Sequence, residues 1–131
     1  MTLYFDTSAL AKLVVQEPES GFLRDWLRER PNVPIVTNVV GVVELQRLAA
    51  RVSREAVSAA DLLLGRIGRL ELTVSSVALA GRLPPPEVRP LDALHIASAA
   101  GIADLQALVS YDHRMINAAR AYGLPTAGPT G

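Results

Sequence analysis

Residues 3–13 have the sequence LYFDTSALAKL, and this stretch decides the fold. Leu3–Phe5 is short, apolar and aromatic, which is typical of a buried strand. Thr7–Val15 has apolar residues at helical spacing, which predicts a helix. Asp6 lies between the two. Because ligands of open α/β sheets bind outside the carboxyl ends of the strands, Asp6 stands where a functional residue is expected.

The same alternation of strand and helix continues along the chain. We predict further strands at Ile35–Thr37, Leu70–Val74, Leu108–Ser110 and, weakly, at an edge around Thr126. The predicted helices run from Ser20 to about Arg30, Asn38 to about Val52, Ser53 to near Gly68, Ser75 or Ser76 to about Arg82, Asp92 to Ala100, and Asp112 to Tyr122 before Gly123. Ser20, Asn38, Asp92 and Asp112 are expected to cap their helices. The pattern predicts one α/β domain, residues 1–131: a three-layer α/β/α sandwich around a mainly parallel sheet of four to five strands.

Composition excludes several classes of protein. Half of the residues are hydrophobic, which is a globular composition. The chain has no cysteine, so disulfides and thiolate metal sites are excluded. The N-terminus is a poor signal peptide, and no apolar stretch is long enough to cross a bilayer. We therefore expect no membrane association, and a cytoplasmic location fits this composition.

The formal net charge is zero, which at first argues against a nucleic-acid partner. If four acids share a metal site, however, 13 basic residues face 9 remaining acidic ones. Twelve of the basic residues are arginine and only Lys12 is lysine. The planar guanidinium group suits phosphate binding, although genomic codon bias explains the preference equally well.

Four acids share one kind of position. Asp6 and Asp112 follow predicted strands, and Asp92 opens a helix after the prolines at 84–90. Glu44 lies about one and a half turns into the helix after the second strand, and helical side chains lean back toward the N-terminus. For each aspartate, helix capping is a sufficient explanation by itself. Glu44 is harder to dismiss, because a carboxylate in so apolar a run is costly without a partner, although a solvent-facing stripe with Arg47 and Arg51 remains open.

The combination of four acids suggests a divalent cation. Converging carboxylates repel each other and raise each other's pKa values, a cost that a cation removes. Hard oxygen ligands select Mg²⁺ or Mn²⁺, and such sites hydrolyse phosphodiesters. His95 and His113 form no zinc-binding pair, and we expect His95 to be packed and His113 to be exposed. Ser8 has no triad signature, and no phosphate-binding glycine loop is present.

These residues resemble the PIN-domain nucleases of the VapC type. The resemblance rests on residues 3–13, on the Glu17–Ser20 turn, on Glu44–Arg47, on Leu91–Ala100 as the most specific match, and on Val109–Met115. It covers nearly the whole chain. Ser110 stands where the family more often has threonine, and the Gly- and Pro-rich tail puts the fifth strand in doubt.

The resemblance implies a Mg²⁺-dependent endoribonuclease, with Mn²⁺ as a substitute, that is the toxin of a toxin–antitoxin pair. Asp6 and Asp92 would be direct metal ligands. Asp112 would bind through water or complete a second site, and Glu44 would bind the metal or orient the attacking water. Ser8 would steady the site around Asp6, and Arg114 would lie beside it or only pair with an acid.

The resemblance also implies partners. They are an RNA substrate, a second copy of the chain in a homodimer, and a VapB-like antitoxin that inserts a peptide into the groove and alone contacts operator DNA. Larger toxin–antitoxin assemblies are compatible with this. Trp26 and Leu62–Leu64 fit either the core or an interface. Three alternatives stay open: a PIN nuclease of RNA processing, a non-catalytic binding module and a phosphatase-like hydrolase.

Overall fold

The computed structural model describes residues 1–131. Its strands are β1 (Thr2–Phe5), β2 (Ile35–Asn38), β3 (Gly68–Leu70), β4 (Leu105–Val109) and β5 (Thr126–Ala127). Its helices are α1 (Thr7–Lys12), α2 (Ser20–Arg28), α3 (Val39–Val52), α4 (Arg54–Leu64), α5 (Val74–Arg82), α6 (Pro90–Ala100) and α7 (His113–Ala121). None of these helices is both long enough and apolar enough to span a bilayer.

The five strands form one sheet in the order β3-β2-β1-β4-β5, and every neighbouring pair is parallel. This confirms the predicted parallel sheet. The weak fifth strand also forms, with Thr126 paired to Leu108. The chain builds outward from β1 in one direction through β2 and β3, and in the other through β4 and β5. The switch point, where ligands bind in sheets of this kind, therefore lies between β1 and β4.

Side chains alternate across the sheet and create two cores. Leu3 and Phe5 face one side, where they pack with residues of α1 to α4. Tyr4 and Leu108 face the other side, where they pack with residues of α6 and α7. All four are fully buried, and burial of an apolar side chain of this size contributes about 1.5–3 kcal/mol. The helices therefore cover both faces, which makes the predicted three layers.

The third strand lies earlier in the chain than predicted. The prediction placed it at Leu70–Val74, but it covers Gly68–Leu70, and α4 ends at Leu64 instead of near Gly68. The β-branched pair Thr73 and Val74 suggested a strand. Instead, the Thr73 hydroxyl accepts a hydrogen bond from the Ser76 amide in a capping box, so neither Ser75 nor Ser76 is the cap of α5.

Two predicted helix caps are also wrong. Ser20 lies inside the first turn of α2, and its hydroxyl donates to the Val15 carbonyl instead of capping. Asp92 is the third residue of α6, which begins at Pro90, a residue well suited to a first helical position. The caps predicted at Asn38 and Asp112 are confirmed.

Candidate active site

The four predicted acids lie beyond the carboxyl ends of the central strands. Asp6 directly follows β1, and Asp112 is the N-cap of α7 after β4. Glu44 lies in α3, which follows β2, and Asp92 lies in the first turn of α6. The parallel sheet brings the ends of β1, β2 and β4 to one edge. The switch point between β1 and β4 therefore has Asp6 on one side and Ser110 to Asp112 on the other.

Asp6 is only 2% exposed, and three donors fix its carboxylate. Oδ1 accepts from the Ser8 hydroxyl at 2.7 Å and from the Ala9 amide at 3.0 Å. Oδ2 accepts from the Ser110 hydroxyl at 2.5 Å. Burial nevertheless raises the pKa of Asp6, and the three hydrogen bonds only oppose that rise. The ionised carboxylate thus carries a desolvation cost that these donors do not fully offset.

Ser8 and Ser110 join the ends of β1 and β4 through their hydroxyl groups. The Ser8 hydroxyl accepts from the Tyr111 amide at 2.9 Å, and the Ser110 hydroxyl accepts from the Asp112 amide at 3.0 Å. Each serine therefore donates to Asp6 and accepts from the chain after β4. This arrangement couples the position of Asp6 to that of Asp112.

Glu44 is held by a chain of buried polar side chains. Its Oε1 accepts from the Thr7 hydroxyl at 2.6 Å and lies 2.9 Å from Nε2 of His95. Nδ1 of His95 lies 2.7 Å from the hydroxyl oxygen of Tyr4, and His95 is only 1% exposed. The hydrogen bond from His95, followed by that from Thr7, lowers the pKa of Glu44, against the effect of burial. Glu44 therefore stays ionised at neutral pH.

The donors and acceptors along this chain fit one tautomer of His95. A carboxylate can only accept, so Nε2 of His95 carries a proton toward Glu44. The Asn38 amide donates to the Tyr4 oxygen at 3.3 Å, which leaves the Tyr4 proton free for Nδ1 of a neutral ring. The ring is thereby fixed at both nitrogens, and it fixes one carboxylate oxygen of Glu44. The other oxygen, Oε2, has no partner in the protein.

Asp92 and Asp112 differ from the other two acids. Asp92 is half-buried and its side chain accepts no hydrogen bond. Burial and then the charge of Asp112 raise the pKa of Asp92, and Glu44 adds to the rise. Oδ1 of Asp112 accepts from the amides of Arg114 and Met115 at 2.9 and 3.4 Å. Asp92 therefore lies within electrostatic reach of two other carboxylates and has no donor of its own.

The chemistry of these groups fits a hard divalent cation. All four acids offer carboxylate oxygens, and a cation would offset both causes of the raised pKa of Asp92, its burial and the charge of Asp112. No three acidic or histidine side chains are grouped so that they could bind one ion directly. Mg²⁺ keeps several of its waters and needs only one or two carboxylates, so the wider spacing is compatible with it.

Several residues of the site were not identified from the sequence. The structure confirms that His95 is packed and His113 is exposed, but His95 also contacts Glu44. The sequence gives Thr7 and Tyr4 no role, and it distinguishes Ser110 only as a position where the family more often has threonine. A polar residue directly beside a strand end is the signal that could have indicated Thr7 and Ser110.

Comparison with known proteins identifies the family. The PIN domain model matches residues 3–121. Ribonuclease VapC35 of Mycobacterium tuberculosis is 39% identical over 130 residues, which cover 97% of this chain and 96% of that protein. Ribonuclease VapC47 of the same species is 40% identical, with 97% and 96% coverage. The chain belongs to the PIN-domain family and, within it, to the VapC ribonucleases.

Solved VapC structures share this fold. Mycobacterium tuberculosis VapC20, a toxin that cleaves the sarcin–ricin loop, matches with a TM-score of 0.74 at 21% identity, over 97% of this chain and 99% of that one. VapBC2 of Rickettsia felis, bound to a DNA fragment from its promoter, matches with a TM-score of 0.77 at 16% identity, over 98% and 99%. At these identities the likeness establishes the α/β/α architecture of a VapC chain.

Proposed function

We propose that this VapC chain is a metal-dependent endoribonuclease that acts as the toxin of a toxin–antitoxin pair in the cytoplasm. The observation that carries the proposal is the set of four acids at the switch point, in a chain that is about 40% identical to named ribonucleases along nearly its whole length. Mg²⁺ is the proposed ion, with Mn²⁺ as a substitute.

The protein's own groups suggest a division of roles. Asp6 and Asp92 would bind the cation directly, and Asp112 would bind it through water. When bound, such a cation polarises the phosphoryl oxygen and offsets the charge that develops on the leaving oxygen. Neither Asp6 nor Asp92 needs a further hydrogen-bond donor for this role, since the cation itself would supply the positive charge that offsets the carboxylates.

Glu44 has the geometry of a group that orients water. Its Oε1 is committed to Thr7 and His95, and its Oε2 is free to accept a hydrogen bond from the attacking water. Because its pKa is lowered, Glu44 is a weak base. We therefore propose that Glu44 aligns the attacking water and does not act as its general base. The proton of that water would pass to bulk solvent.

The first test is cleavage of a pool of structured and single-stranded RNAs by the purified protein. The reactions would contain Mg²⁺, Mn²⁺ or EDTA. Asp92→Asn removes a proposed ligand, and Asp61→Asn is the matched control, since Asp61 is an exposed residue of α4. We expect cuts at few sites that need both the metal and Asp92. Cleavage that is equal in EDTA, or equal in Asp92→Asn, would contradict the metal assignment.

An antitoxin of the VapB kind is the proposed regulator. Relatives by fold include VapBC-1 of nontypeable Haemophilus influenzae and VapBC of Salmonella typhimurium bound to DNA. The proposed antitoxin would insert a peptide into the groove at the four acids and would make the contacts with operator DNA. Co-expression with a VapB-like antitoxin should abolish cleavage and restore growth. Undiminished cleavage in the purified complex would refute this regulation.

We also propose a homodimer. Large apolar side chains remain exposed on several helices, among them Val43 of α3, Leu62 of α4 and Val77 of α5. Of the residues that fitted either role, Leu64 is core, Leu62 is exposed and Trp26 is partly buried against the core. Sedimentation at micromolar concentration should give a dimer, and Val77→Glu or Leu62→Glu should show which face forms it. A monomer throughout would refute the proposal.

A further inference from the structure

A cavity of about 540 Å³ opens directly beside Asp92. It lies between the proline-rich loop before α6, the first turn of α6 and α7, and its charged lining consists of two arginines, Arg89 and Arg114, and two acids, Glu87 and Asp92. Asp92 is the only one of the four acids that lines it. The residues that fix Glu44 and Asp6 take no part in it, so the hydrogen-bond network of the site leaves this cavity unexplained.

Two cations in this cavity are free to bind an anion. The side chains of Arg89 and Arg114 make no ion pair or hydrogen bond within the protein, whereas Arg24, Arg28 and Arg30 are all engaged. Other free arginines are scattered over the surface, but these two share one cavity. The charge of Arg89 acts on Asp92 in opposition to burial and to Asp112, which places Arg89 within Coulombic reach of that carboxylate. Neither guanidinium group is paired with Glu87 or Asp92, so both are available to bind phosphates beside the proposed metal ligand.

The rest of the lining suits a base. Val88 and Ala118 provide apolar surface, and Asn117 offers an amide that can both donate and accept. The volume lies within the range of pockets that bind small organic ligands, which accommodates one nucleotide. Phosphate contacts position a nucleic acid and contacts with base edges specify it, and this cavity offers groups for both.

We propose that this cavity is a subsite for one nucleotide of the RNA, adjacent to the phosphodiester that is cut. Arg89 and Arg114 bind phosphates on either side of that nucleotide, and Asn117 contacts the edge of its base. The inference rests on the proposed function, because it assigns the scissile bond to Asp92. Contacts in this cavity would then help to determine which RNA sequence is cut.

The test compares cavity variants with matched controls. Arg89→Gln combined with Arg114→Gln removes both charges, and Arg66→Gln is its control, since Arg66 lies near the opposite end of the strands. Asn117→Ala removes the amide. Ala121→Leu fills part of the cavity from an exposed position of α7, and Ala78→Leu makes the same change at an exposed position of α5.

Two measurements are made on each variant. Cleavage of the RNA pool gives kcat, KM and the sequence at each cut. Fluorescence anisotropy with a short labelled single-stranded RNA, in an Asp6→Asn background with Mg²⁺, gives binding without turnover. We expect the double arginine variant to raise KM and Kd about tenfold and to lower the salt slope of binding by about 0.7 for each phosphate that is no longer neutralised. Asn117→Ala should relax the cut sequence, and Ala121→Leu should raise KM, while the controls stay at wild type.

The outcomes separate this inference from the proposed function. If wild type cleaves RNA and the cavity variants match their controls in KM, salt slope and cut sequence, the subsite is refuted and the nuclease stands. If wild type cleaves no RNA but the double arginine variant binds more weakly, with the expected salt slope, the cavity stands as a nucleotide-binding site and the nuclease fails. Unchanged binding in that case refutes both.

Discussion

Replacement of Ser110 by alanine tests how the buried carboxylate of Asp6 is stabilised. Ser110 is fully buried, and its hydroxyl has two partners. It donates to Asp6 Oδ2 at 2.5 Å and accepts from the Asp112 amide at 3.0 Å. Alanine removes both hydrogen bonds and leaves no polar group in their place. The pKa of Asp6, already raised by burial, should rise further.

The expected loss of stability follows from these hydrogen bonds. A hydrogen bond to a charged group contributes about 1.5–3 kcal/mol, and a donor left without a partner adds about 1 kcal/mol. We therefore expect Ser110→Ala to lower the free energy of unfolding by about 3 kcal/mol, out of the about 5–15 kcal/mol that domains possess. For a chain of this length the melting temperature should fall by about 10 °C. RNA cleavage should fall as well, because Asp6 is less ionised and less fixed.

The assay is urea unfolding in EDTA, followed by circular dichroism, with cleavage measured separately in Mg²⁺. Ser110→Thr keeps the hydroxyl and should retain most of both properties. Ser58→Ala, at an exposed position of α4, controls for the substitution itself. A change in Ser110→Ala of less than about 0.5 kcal/mol, the usual range of neutral surface substitutions, would refute the assigned role of Ser110.

Three further predictions concern Asp92, Gly41 and Tyr4. Asp92→Asn should stabilise the metal-free protein at neutral pH. The folded-state pKa of Asp92 is raised, so the stability of the wild type falls as the pH rises from the unfolded-state pKa to the folded-state pKa of this group. In thermal unfolding in EDTA, the advantage of the variant over the wild type should therefore shrink toward about pH 4. Gly41→Ala should lower the free energy of unfolding in urea by about 1–3 kcal/mol, because the new Cβ would overlap the buried Thr37 Oγ1. Gly81→Ala has open space around it and should raise the free energy of unfolding by up to about 1 kcal/mol. A change in the same direction for both variants would contradict the packing described. Tyr4→Phe should lower the free energy of unfolding by about 1–3 kcal/mol, because Nδ1 of His95 loses its hydrogen-bond partner. It should also lower kcat at unchanged KM, because His95 then holds Glu44 less firmly. An unaltered kcat would show that His95 needs no support from Tyr4.

Local signals made most of the fold predictable. Buried strands such as Leu3–Phe5 are short apolar runs, and caps such as Asn38 and Asp112 directly precede helical spacing. The third strand was misplaced because Thr73 has two uses. Its β-branched side chain favours strands, and its hydroxyl caps helices. The pairing of Gly68 with Val36 in the neighbouring strand fixes where β3 begins, and that pairing is not local in sequence.

The acidic residues of the site could be predicted from the sequence, but the residues that hydrogen-bond to them could not. Asp6 and Asp112 stand next to strands, which marks them in the sequence. His95 contacts Glu44 across 51 positions and Tyr4 across 91, so neither contact has a local signal. The sequence correctly indicated a packed histidine. A buried imidazole must pair both of its nitrogens, however, and that requirement places two polar partners in the core beside it.

Asp6, Glu44 and Asp92 are supported by the protein to different degrees, and this bears on how each would respond to a cation. Asp6 has three donors and Glu44 has two, so the protein itself compensates much of their charge. Asp92 has none, although it is half-buried and close to the charge of Asp112. Arg89 in the adjoining cavity lowers the pKa of Asp92 only against the larger effects of burial and of Asp112, so a bound cation would supply further compensation. Removal of Arg89 should therefore strengthen the dependence of Asp92 on metal. A titration of Mg²⁺ binding by Arg89→Gln should show higher affinity than wild type, because one competing positive charge is gone. Lower affinity would mean that Arg89 orients Asp92 toward the metal instead of competing for it.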